Sequence, residues 1–114
     1  MTLFTDNVTA AIERGLAGVA ERQRVTANNL ANAETPGFTA GQVDFESNLA
    51  NALAGGDPSS AAITMSATTD AAGVNGNNVN VAGESTSLIR SGLQYDALVS
   101  ALNYKLNLLQ TAVK

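Results

Sequence analysis

The stretch "LIRSGLQYDALVSALNYKLNLLQTAV", residues 88–113, decides the fold. Leu88, Gly92, Tyr95, Val99, Leu102, Leu106, Leu109 and Val113 recur at alternating intervals of four and three. That a/d pattern turns one edge of an α-helix into a continuous apolar seam. Ile89, Leu93, Leu98 and Leu108 add a flanking stripe, and together they are wider than one partner helix covers. The helix, expected over residues 84–113, should therefore touch several others. Each large aliphatic side chain stabilises by about 1.5–3 kcal/mol when fully buried.

The other end of the chain repeats the rhythm. Over residues 6–33, Ile12, Leu16, Val19, Gln23, Thr26 and Leu30 keep the same alternation, apolar in the first half and polar in the second. Thr5 or Asp6 suits the N-cap, where a side-chain oxygen accepts a free N–H of the first turn. Gly15 and Gly18 each cost about 1 kcal/mol relative to Ala in a helix interior. Small residues at those places also allow a second helix to approach closely.

"NNLANAETPGF", residues 28–38, ends this first helix. Leu30 closes the apolar stripe. The amides of Asn28, Asn29 and Asn32 bond readily to nearby backbone, which suits a helix end or a close interhelical contact. Pro36 disfavours helical φ/ψ at Thr35, so the helix stops by then. Pro36-Gly37 fits a turn with Pro at its second position and Gly, at positive φ, at its third. Phe38 leaves the turn as an anchor. Residues 34–54 then read as turn, extended segment and short helix.

Residues 55–83 are rich in Gly, Ser, Thr, Asn and Ala and have no periodic apolar face. They are expected to form a flexible insert. Within them "NNVNV", residues 77–81, fits a short strand.

Composition narrows the function. The chain of 114 residues is 45% hydrophobic but only 4% aromatic, and alanine, which buries little area, supplies much of the apolar count. A core built this way is marginal for a lone domain and gains from partners. Net charge is -4, and no basic residue lies between Arg24 and Arg90, so a phosphate-neutralising patch is missing and no nucleic-acid partner is expected. There is no cysteine and no histidine, which removes thiolate sites and the commonest neutral-pH base. The glycine-rich "GVNGNN", residues 73–78, lacks the lysine of a phosphate loop. Asp44 and Glu46, two apart, read as a solvated carboxylate pair rather than an acid–base couple. No enzyme, metal or cofactor is expected. No apolar run reaches the roughly 20 residues that span a bilayer, and "MTLFTDNVTAAIERG" does not look like a standard signal peptide.

Two blocks carry a resemblance. Asn29-Leu30-Ala31-Asn32 followed by Thr35-Pro36-Gly37-Phe38 resembles the N-terminal signature of the bacterial flagellar axial proteins, the rod, hook and hook-associated family. Residues 76–114 are similar to the C-terminal part of a short rod member of that family. The matching positions are Gly76, Asn77 and Val79, then Leu93 and Tyr95, then Lys105, Leu106, Leu108, Leu109 and Ala112.

The resemblance implies a mainly α fold whose two long terminal helices pair antiparallel in a coiled-coil-like arrangement. A mobile centre would lie between them, with room for a short β-hairpin or loop after the first helix. It implies a structural subunit of the basal-body rod, exported unfolded through the flagellar type III apparatus without a cleaved signal peptide. The rod runs through the periplasm, and its implied partners are copies of this chain, other rod proteins, a FliE-like adaptor and the membrane ring of FliF. Residues 28–32 and 35–38 would then be family motif. Ile12, Leu16, Val19, Leu30, Leu88, Tyr95, Val99, Leu102, Leu106, Leu109 and Val113 would be the helix-packing and subunit-interface positions. A second rod protein of FlgC type, or a cytoplasmic helical adaptor, are the alternatives.

Overall fold

The computed structural model describes residues 6–113. Along the chain these form helix α1 (Asn7–Ala31), strand β1 (Gly41–Asp44), helix α2 (Glu46–Ala54), a 3-10 turn (Pro58–Ser60), strand β2 (Thr64–Ala67) and helix α3 (Val81–Val113). The two long helices run antiparallel. Lys105 reaches Asp6 at 3.0 Å, Leu98 lies against Gly15, and Gln23 lies beside Gly92. The product is a rod-shaped molecule with extents of 62 × 25 × 14 Å and a radius of gyration of 17.4 Å. A compact globule of this length would measure about 13 Å. The family resemblance therefore anticipated the architecture, a mainly helical chain with two long terminal helices and a small antiparallel sheet between them.

Local chemistry sets the ends of the helices. Asp6 caps α1, its Oδ1 accepting the Thr9 N–H at 2.7 Å. At the far end Asn32 is the C-cap, so α1 stops at Ala31, slightly short of the expected boundary at 33. Thr35 to Phe38 make the anticipated turn: the Phe38 N–H donates to the Thr35 carbonyl at 3.3 Å, and Gly37 has φ +73°.

The start of α3 corrects the sequence reading. Residues 77–81 form no strand, and α3 begins at Val81 instead of 84. Asn80 caps it: its Oδ1 accepts the Gly83 N–H at 3.0 Å, and its carbonyl accepts the Glu84 N–H at 2.8 Å. The flexible insert expected over 55–83 is in part ordered. It holds the 3-10 turn and β2, which pairs antiparallel with β1 in the register Gly41↔Ala67 to Asp44↔Thr64. Those four residues of β2 are all exposed, so no alternation betrays the strand.

The best-buried apolar cluster lies to one side of the helix pair. Val19 and Val25 of α1 meet Val43 and Phe45, with Leu49, Ile63 and Leu98 packed around them. The segment from β1 to β2 thus folds back as an arm on α1.

Candidate functional site

Side-chain amides build the joint between the two ends of the chain. Asn29, 1% exposed, points from α1 at the start of β1. Its Nδ2 donates to the Gly41 carbonyl at 2.8 Å, and its Oδ1 accepts the Gly41 N–H at 3.0 Å. One side chain thus does for this edge of β1 what a neighbouring strand would do. Asn32 donates to the Asn28 carbonyl at 2.9 Å and accepts the Thr35 hydroxyl at 3.1 Å, which fixes the turn leaving the helix.

The opposing half of the joint comes from residues 75–79. Asn77 is buried, and its Nδ2 donates at 2.8 Å to both the Asn32 and Thr35 carbonyls, while its Oδ1 accepts the Val79 N–H at 2.8 Å. Asn78 accepts the Ala40 N–H at 2.7 Å and donates to the Thr68 hydroxyl at 3.0 Å. The Gly37 N–H donates to the Asn75 carbonyl at 2.8 Å. The two blocks singled out in the sequence, 28–38 and 76–79, therefore meet in space. Together they form a clasp that satisfies the carbonyls of the α1 C-cap, Asn32, and of Thr35 in the turn beyond it, and directs the chain into α3.

A second joint holds the arm. The Arg22 guanidinium grips Glu46 with two parallel bonds, at 2.5 and 2.7 Å, and donates to the Val43 carbonyl at 2.6 Å. It also lies over the Phe45 ring, 4.9 Å from the centroid. Hydrogen bonding from Arg22 holds the Glu46 carboxyl below its ordinary value, and Glu46 in turn raises Arg22. The sequence-level pairing of Asp44 with Glu46 is not what forms. Glu46 turns to Arg22, and Asp44 stays exposed.

The small residues of α1 divide their roles. Gly15 admits Leu98 of α3, which would sit 3.5 Å from an added Cβ. Gly18 instead takes the Phe45 ring, so close that an added Cβ would lie 2.5 Å from it. Neither Phe45 nor Arg22 stood out in the sequence. The only available signal was the apolar alternation of Val43 and Phe45.

The helix-packing positions are incompletely covered. Val19 is buried; Ile12, Leu16, Leu30, Leu88, Val99, Leu102, Leu106 and Leu109 are half-buried; Tyr95 and Val113 are exposed. Within α3, Ser91 is the buried residue, where the helix approaches α1. On the side away from α1, Ile89 is 68% exposed, Leu93 67%, Tyr104 67% and Leu108 50%. Their spacings of four, eleven and four keep them on one face. An open apolar groove of about 440 Å³ lies between α1, α2 and α3, floored by Gly15, Val19, Phe45 and Leu98. The motif residues Ala31, Pro36 and Gly37 are exposed, and Phe38 is half-buried beside Asn28 and Met65.

Comparison with known proteins follows the same elements. Residues 13–39, from the middle of α1 through the turn, match the family described as "Flagella basal body rod protein". The chain is 32% identical over 127 residues to the flagellar basal body rod protein FlgB of Bacillus subtilis (strain 168), spanning 99% of this chain and 97% of that protein. It is 32% identical over 105 residues to FlgB of Escherichia coli (strain K12), spanning 74% of this chain and 76% of that protein. FlgB of Yersinia enterocolitica is 28% identical over 104 residues, spanning 73% and 76%.

Proposed function

The chain belongs to the flagellar basal body rod proteins, and we propose that it occupies the proximal rod in the manner of FlgB, polymerising through its terminal helices. As a family member it is a structural subunit of the basal-body rod, not an enzyme, and it assembles with other rod components. The finer reading gives the shaft a mechanical role, transmitting motor torque through packed helices. It places this subunit in the periplasm near the FliF membrane ring, joined to it through a FliE-like adaptor, after delivery through the flagellar type III export apparatus.

The observation that carries this reading is the uncovered apolar face of α3. Ile89, Leu93 and Tyr104 each leave about two-thirds of their surface in water. Large apolar side chains left exposed along one face of a long helix mark a protein-binding surface. The half-buried seam positions Leu102, Leu106 and Leu109 also have surface left for a neighbour. Alanine-rich α1 and a small arm core provide few other large side chains for this purpose.

Deleting the gene tests the reading. Loss of swimming, restored by the gene in trans, together with recovery of the product in isolated basal bodies next to the membrane ring, is the expected result. Recovery of the product only from the cytoplasm would refute it.

A further inference from the structure

Asn75-Gly76 is the one Asn-Gly pair in the chain, and it sits at the clasp. Glycine after asparagine removes the Cβ that would obstruct its amide nitrogen from reaching the asparagine side chain. Asn75 is exposed, in a loop without regular structure. We propose that Asn75 is a spontaneous modification site, reactive when the chain is unfolded and restrained when the clasp is closed, whose main product can no longer close the clasp.

The reaction needs only water. The Gly76 nitrogen attacks Asn75 Cγ; the new N–Cγ bond forms as the Cγ–Nδ2 bond breaks. The Gly76 amide proton and a solvent proton leave on the departing nitrogen as ammonium, giving a five-membered imide. Water then adds to one of the two imide carbonyls. Opening at the former main-chain carbonyl leaves an isoaspartate, in which the backbone runs through Cβ. Opening at the other leaves an ordinary aspartate.

The folded geometry restrains the first step. The Gly76 N–H donates to the Gly73 carbonyl at 2.9 Å, and Asn75 Oδ1 accepts the Asn77 N–H at 3.1 Å. Attack requires the Gly76 bond to open, and the Asn77 bond restrains the side chain that is attacked, so the reaction proceeds through local unfolding of the loop. The consequence also follows from geometry. The Asn75 carbonyl accepts the Gly37 N–H at 2.8 Å, and Gly76, at φ +81°, is so close to Gly37 that an added Cβ would lie 3.2 Å from the Gly37 Cα. Aspartate at position 75 keeps every acceptor in place. In isoaspartate the carbonyl that accepted the Gly37 N–H becomes a pendant carboxylate and the chain continues through Cβ and Cγ, one methylene longer, so the Asn77 amide is displaced from the Asn32 and Thr35 carbonyls.

The test holds the wild-type chain in denaturant and in native buffer at one neutral pH and temperature. Peptide mass analysis follows the conversion, and an isoaspartyl methyltransferase serves as the probe of isoaspartate. The expected result is conversion at Asn75 about tenfold or more faster in the unfolded chain, the factor that two net hydrogen bonds supply, and no conversion there in Asn75→Gln. Asn75→Asp should retain wild-type amide protection over residues 32–38, and the isoaspartate chain should lose it. Equal rates in the two states, an unmodified Asn75 in denaturant, or full protection in the isoaspartate chain would each overturn the proposal.

Discussion

The Phe45 ring rests directly on the backbone of α1 at Gly18, leaving no room for a side chain: a Cβ would lie 2.5 to 2.7 Å from three ring atoms. The contact is the footing of the arm. Phe45 is buried there with Val19, Val25 and Val43, and the Arg22 guanidinium lies over its ring.

Gly18→Ala therefore tests two opposing effects. Helix propensity alone would stabilise α1 by about 1 kcal/mol. Overpacking against Phe45 costs about 1–3 kcal/mol, since the ring is buried among Val19, Val25 and Val43 and has little room to move aside. The expected outcome is a net loss of stability in denaturant titration. A more stable variant would show that the ring moves aside freely.

Arg22→Lys separates charge from geometry. Lysine keeps the charge but loses the fork that holds Glu46 twice and reaches the Val43 carbonyl. Because Glu46 is largely exposed, the expected loss is modest, about 1 kcal/mol. A double-mutant cycle with Glu46→Gln should then show coupling in the wild-type background that is absent with lysine.

The amide joints should be more sensitive. Asn29→Leu leaves both Gly41 backbone groups without their partner in a buried place, at a cost of about 2–4 kcal/mol. Asn77→Ala releases the Asn32 and Thr35 carbonyls, which lie nearer water, for about 1–3 kcal/mol. Amide exchange should rise around residues 38–44 in the first variant and 32–37 in the second. Unchanged exchange in Asn77→Ala would remove the clasp from the account.

Acid should loosen the open end of the helix pair. Asp6 is pulled down from its ordinary 3.8 to about 2, first by the Thr9 N–H and then by Lys105. A lowered carboxyl contributes stability above its unfolded value and loses it as pH falls through the folded one. Stability should thus decline between about pH 4 and pH 2. Asp6→Asn should flatten that part of the profile, and an unchanged profile in this variant would assign the acid sensitivity to other groups.

The two long helices were legible because their signals are local. The four-three alternation around Leu102 and Leu106 and the restriction imposed by Pro36 each act within a few residues. Gly37 at positive φ was readable from Pro36-Gly37 for the same reason. The clasp was only half legible. Asn29 and Asn32 marked a helix end, but Asn77 acts on Asn32 from 45 residues away, and no periodicity records a side-chain amide replacing a strand. β2 escaped detection because none of its residues is buried, and Glu46 was misassigned because its partner Arg22 lies 24 residues upstream.

The most direct test of the central claim, that the outer face of α3 is covered by neighbouring subunits, is the behaviour of Leu93→Asp. Leu93 is exposed in the monomer, so the charge should leave its helix content and thermal unfolding near wild type, while an unpaired charge in a subunit contact costs several kcal/mol. The account predicts a normally expressed, folded protein that is missing from isolated basal bodies, in cells that do not swim. Cells that swim normally, with the variant present in their basal bodies, would contradict it.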